Sequence, residues 1–217
     1  MIYGVAAVQG NLFPVEVTVR RTTVPSPSFD RIASLCALLA GLGSLEYALA
    51  FLVLGNSGLS ALVLLLVGLL SATALVAVYL RLRETEAAFA LWAFLLSLTG
   101  SLGAVIHGGD DLALALHPVP SAPALPNPID PRGLLSLGVT GLGVGLLALL
   151  MVRTGRFSPR LGVLGFVSAD LLLILYLGRL IVLDATSPVV MLPAMLSGFL
   201  ANPVWYIWLG LELWHGR

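Results

Sequence analysis

The chain has 217 residues, of which 59% are hydrophobic and 10% charged, with a mean hydropathy of +1.02. A soluble domain carries about 25% charged residues, so this composition argues against a water-soluble globular protein and for one built for lipid. The formal net charge is zero, no basic patch suited to nucleic acid occurs, and the single cysteine, Cys36, leaves no internal disulfide to form.

Residues 1–30 differ from the rest. The first nineteen are mildly apolar with partial alternation (Phe13, Val15, Val17, Val19), and Arg20, Arg21 and the breaker run Pro25-Ser26-Pro27 follow. A secretory signal carries its positive charge before the apolar stretch, whereas here the arginines come after it. The segment is expected to be a cytoplasmic N-terminal arm, and 31–217 a membrane domain.

Six apolar stretches then succeed one another, at 33–54, 59–80, 87–106, 134–152, 161–183 and 189–213. About 20 helical residues at 1.5 Å rise cross the hydrocarbon core, so each reads as a transmembrane helix. Gly55-Asn56-Ser57-Gly58 makes the first turn, and Arg81 to Glu86 the second connection. After the third stretch, six prolines between Pro118 and Pro131 preclude a helix and predict an extended outer loop at 118–131. The expected fold is all-α, a six-helix transmembrane bundle.

Charge sets the expected orientation. Nine of the eleven cations, all arginine, fall on one side of the six stretches; Arg132 and Arg179 fall on the other. The positive-inside rule therefore predicts a multi-pass protein of the cell membrane with both termini in the cytoplasm. All four tryptophans (Trp92, Trp205, Trp208, Trp214) map to the cytoplasmic half, as an interfacial belt would. Small residues recur every fourth position, as at Gly100, Ala104 and Gly108 or Gly165 and Ala169, which lets helix backbones pack closely.

Polar groups within the stretches mark where chemistry could sit. The run His107-Gly108-Gly109-Asp110-Asp111 ends the third stretch, and helical spacing brings His107 near both carboxylates. An imidazole with two carboxylates is a candidate cation, proton or metal site, but a metal usually takes three or four protein ligands. The competing reading is a helix end whose polar side chains satisfy backbone groups. Glu46 lies in the outer half of the first stretch beside Tyr47. Asp170 lies at the middle of the fifth, where a charge is most costly. Arg179, nine positions later, falls on the opposite helix face, so it cannot pair with Asp170 within one helix. In the sixth stretch Pro203 predicts a kink, and Asn202 a hydrogen bond across helices. Glu46, His107, Asp110, Asp111, Asp170, Arg179 and Asn202 together form the candidate polar pocket; His107, Asp110 and Asp111 are its metal candidates.

No catalytic residue set is legible: there is no Gly-x-Ser-x-Gly, phosphate loop or paired-cysteine motif. No covalent haem or iron–sulfur motif occurs, and a haem held by two histidines needs a second one at matching depth, whereas His117 and His215 flank the spans.

The segments 103–112 (GAVIHGGDDL), 176–180 (YLGRL) and 202–210 (NPVWYIWLG) resemble those of an uncharacterised family of small bacterial membrane proteins, a domain of unknown function. The resemblance covers residues 31–214 and implies six helices, with no established activity, cofactor or catalytic residue. The leading expectation is a non-enzymatic accessory subunit of a membrane complex, whose partners are the bilayer and other membrane subunits. The alternative is a small transporter or cation-binding protein with an outward-facing polar pocket. An intramembrane hydrolase ranks third because its further histidine ligands are missing.

Overall fold

The computed structural model describes residues 27–118, 131–184 and 186–216. Nearly all of the expected N-terminal arm and of the proline-rich loop lies outside the described residues. Among those described, every regular element is helical. Five helices are long and apolar enough to cross a membrane: α1 (Ser28–Val53), α2 (Ser57–Leu116), α3 (Leu134–Thr154), α4 (Pro159–Val182) and α5 (Pro188–His215).

The count differs from six because α2, Ser57–Leu116, holds the second and third apolar stretches as two helices that meet at a kink. The connection Arg81 to Glu86 contains no glycine or proline, so the first helix runs on through Arg81 to Thr85 before the chain turns. A single non-helical residue, Glu86 (φ −136°, ψ 71°), breaks it. The two arms fold back on each other as an antiparallel pair. Ser71 and Ser101 meet through their hydroxyls at 3.1 Å, and the rings of Tyr79 and Phe94 stack at 5.1 Å.

Local signals explain the other boundaries. Asn56 caps α2 by accepting from the Leu59 N–H at 3.0 Å. Gly155, at φ +65°, ends α3 in the left-handed conformation that glycine adopts without strain. Ser158 then caps α4, with Pro159 in its first turn. In α5 a π turn, Ser197–Ala201, precedes Pro203, which has no N–H to offer the preceding turn.

The helices pack as a closed ring in chain order. Gly43 of α1 lies against Val63 and Val67 on the first arm of α2, while Gly100 and Gly103 on the second arm lie against Thr140 and Leu135 of α3. Gly141 of α3 abuts Ala169 and Leu173 of α4, and Gly178 of α4 abuts Val189 of α5. The ring closes where Gly41 of α1 meets Pro203 and Ile207, and where the Ser34 hydroxyl donates to the Gly210 carbonyl at 2.6 Å. Such approaches gain dispersion contacts that larger side chains would block.

Large buried side chains gather towards one end: Leu75, Val78, Leu82, Leu147, Met151, Leu161, Trp205, Leu209 and Leu213. The exterior is apolar around the bundle, with Leu39 and Leu42 of α1, Leu95 and Ile106 of α2, Leu142 of α3, Ile174 of α4 and Leu192 of α5 all exposed. A water-soluble monomer does not present such a surface. These apolar helices are compatible with a membrane protein.

Candidate functional site

Among the described residues three features hold most of the polar chemistry: a cluster at each end of the bundle and a solitary carboxyl between them. The first lies where the second arm of α2 ends. The continuous helix puts His107 and Asp111 one turn apart, with Nε2 3.3 Å from Oδ2. On its other side the imidazole Nδ1 lies 3.4 Å from the Ser136 hydroxyl, at the start of α3. Arg132, which precedes α3, reaches Asp111 at 3.1 Å and Asp110 at 3.4 Å. It also donates to the His107 carbonyl at 3.5 Å.

Two more helices complete this cluster. Tyr47 of α1 lies within electrostatic range of both Asp111 and Arg179, and the Arg179 guanidinium approaches Gly133 from α4. Four of the seven candidates therefore converge here: His107, Asp110, Asp111 and Arg179. The carboxylates turn to arginine. Among the described residues no group of three His, Cys, Asp or Glu side chains gathers closely enough to hold a metal ion. Arg132 was not singled out from the sequence beyond its side of the membrane. Its place just after the proline run, facing two aspartates across the loop, is the signal that could have found it.

The remaining three candidates lie apart. Glu46 is exposed on α1, one position from the inward Tyr47. Asn202 donates to the Ser197 hydroxyl at 2.9 Å within its own helix, because the π turn places residues five apart on one face. That bond is local, in place of the cross-helix bond expected.

Asp170 is exposed at the middle of α4. It has no ion pair or hydrogen bond to another side chain among the described residues. Around it Val163, Val167, Ile174, Leu177 and Ile181 are also exposed, and with Asp170 they are spaced alternately four and three residues apart. That spacing is one outward face of the helix.

The second cluster, at the opposite end, escaped the sequence reading, which counted its members only as charges. Arg81 of α2 binds Asp30 of α1 at 3.2 Å and donates to the carbonyls of Leu213 at 3.0 Å and Glu212 at 3.4 Å, in the last turns of α5. Its guanidinium also lies 5.6 Å from the centre of the Phe157 ring. A cation at a helix C-terminus offsets the partial charge of the last carbonyls. Nearby, Arg153 pairs with Glu86 at 3.3 Å and Arg156 with Glu84 at 3.0 Å.

Glu212 is 6% exposed; one carboxylate oxygen accepts from the Ser158 N–H at 2.9 Å. The other has no hydrogen-bond partner among the described residues. Beside it a cleft of about 650 Å³ opens between the α3–α4 turn and the end of α5. Comparison with known proteins returned no matching family model, no matching curated protein and no matching solved structure.

Proposed function

We propose that this chain is a non-enzymatic, multi-pass subunit of a larger assembly in the cell membrane. It would cross six times, through α1, the two arms of α2, α3, α4 and α5, with both termini in the cytoplasm. Asp170 carries the reading. A carboxyl on the outer face of a mid-membrane helix would cost about 2.5–3.5 kcal/mol against lipid, so its retention points to a partner. The residues around it on that face of α4 are apolar, so nothing on the helix itself answers the carboxyl.

Charge complementarity identifies the occupant as a transmembrane helix with a basic side chain at mid-depth. A second copy does not fit as well. In a parallel copy Asp170 would meet Asp170, and Arg179 lies nine residues away, about 14 Å along the helix. The outward-facing pocket that transport requires has less support. Glu46 and Asp170 face outwards, Asn202 bonds locally, and the outer cluster pairs its carboxylates with arginine.

The test is purification of the full chain at native abundance in a mild detergent, followed by mass spectrometry of wild type and Asp170→Leu. The expected result is a stoichiometric partner with a basic residue inside a span, lost in the variant while the chain itself stays folded. A solitary wild-type chain, a partner retained by Asp170→Leu, or a homodimer sealed at Asp170 would each overturn this reading.

A further inference from the structure

Asp170 has a counterpart on another side of the bundle. Glu46 is exposed on α1 and has no ion pair or hydrogen bond to another side chain among the described residues. Leu42 and Leu49, about a turn to either side, and Leu45 beside it are exposed as well. α1 is also the least buried of the five long helices. The midpoint of the first apolar stretch, 33–54, falls two to three residues before Glu46, so at 1.5 Å per residue Glu46 lies about 4 Å from the centre of that span. The outer edge of a hydrocarbon core about 30 Å thick is then about 11 Å further on. Lysine and arginine escape such depths by extending a long stem to the interface, which the short glutamate stem cannot do.

One partner helix cannot answer both carboxyls. In the ring α5 stands between α1 and α4, meeting Gly41 of the one and Gly178 of the other. Glu46 lies five positions from Gly41, about 140° round the helix, so it faces away from α5 and from α4 beyond it. A second copy does not answer Glu46 either. In a parallel pair Glu46 would meet Glu46, and Arg31, the arginine on the same helix, lies fifteen residues or about 22 Å along it.

We infer that α1 is a second docking face, taken by a further transmembrane helix with a lysine or arginine at mid-depth, so that the chain joins two membrane helices on different sides of its ring. The inference rests on the subunit reading above, and charge complementarity at Glu46 carries it, as it does at Asp170.

The test compares the full chain, Glu46→Leu and Asp170→Leu, each purified at native abundance in a mild detergent, with co-purifying chains quantified by mass spectrometry. Glu46→Leu should lower one partner at least about tenfold, because the basic group facing it is left unpaired, and should leave the Asp170 partner at its wild-type level. A second arm keeps both carboxyls and so does not depend on the folding of those variants. Leu39 and Leu177 are exposed, each two turns from its carboxyl on the same face, and each is replaced in turn by the photo-crosslinker p-benzoylphenylalanine. The peptides captured should come from two different spans, each with a basic residue near its middle.

Loss of a partner in Glu46→Leu alone would support the inference even if Asp170→Leu changed nothing. A full set of partners in Glu46→Leu, or one span captured from both positions, would overturn it and leave the Asp170 reading standing. A solitary wild-type chain would overturn both.

Discussion

Arg81 shows how one side chain can join three helices. It binds Asp30 of α1 and two carbonyls of α5 from its place on α2, and it is mostly buried. Replacing it with methionine keeps the apolar stem but leaves the Asp30 carboxylate without its cation. Removing one partner of a buried pair costs about 3–5 kcal/mol, so Arg81→Met should lower the thermal midpoint markedly. Asp30→Asn should cost less, because Arg81 keeps its carbonyl acceptors; equal losses in detergent melts would refute the asymmetry. The sequence showed Arg81 only as a loop cation, since its partners lie 51 and 132 positions away. Asp184, beyond the end of α4, offers a second residue-level test. The Thr186 hydroxyl, and then the Thr186 and Ser187 backbones, hold its carboxyl below the usual carboxylate value. A depressed folded pKa means the stabilising contribution is complete above the unfolded value and disappears as pH falls through the folded one. Thr186→Ala should move the Asp184 titration upward when followed by carbon-detected NMR.

At the level of elements, α2 is the informative case. Its apolar arms were evident from hydropathy, and the close stripe at Gly100 and Gly108 from spacing. That the connection would shrink to a kink at Glu86, with Arg81 to Thr85 still helical, was not, because charged helix formers look like a loop when flanked by membrane-length runs. The antiparallel closure of the arms depends on space for backbone contact. A Cβ at Gly108 would lie 2.6 Å from both the Ala61 carbonyl oxygen and the Leu65 nitrogen. Neither is a flexible side-chain end, so Gly108→Ala should push the arms apart and cost about 1–3 kcal/mol. Gly109 is the control. A Cβ there meets only Leu65 Cδ1, at 3.9 Å, so Gly109→Ala should be neutral or slightly stabilising through helix propensity. Comparable loss in both variants would show that the arms do not pack through Gly108.

Across the whole molecule, the charge asymmetry was legible and the ring closure was not. Arginine counting separates Arg132 and Arg179 from the others, and the fold does bring Arg81, Arg153 and Arg156 to one end and Arg132 with Arg179 to the other. The seating of α5 on α1 depends on matched small residues, such as Gly41 and Gly210, whose partners no local pattern names. The same limit hid the Glu212 cleft, which exists only because the α3–α4 turn and the end of α5 meet. The proposed topology makes its own prediction from this arrangement. Each arm of α2 must span the bilayer, so the α1–α2 turn at Asn56 and the α3–α4 turn at Gly155 should lie on opposite sides. Cysteines placed at Asn56 and Gly155 in a Cys36→Ala background should react differently with an impermeant maleimide on intact cells. Asn56→Cys should label from outside and Gly155→Cys only after permeabilisation, because the proposed topology puts the arginine-rich end in the cytoplasm. Labelling of both from the same side would mean that α2 does not cross twice, and the six-span arrangement would fall with it.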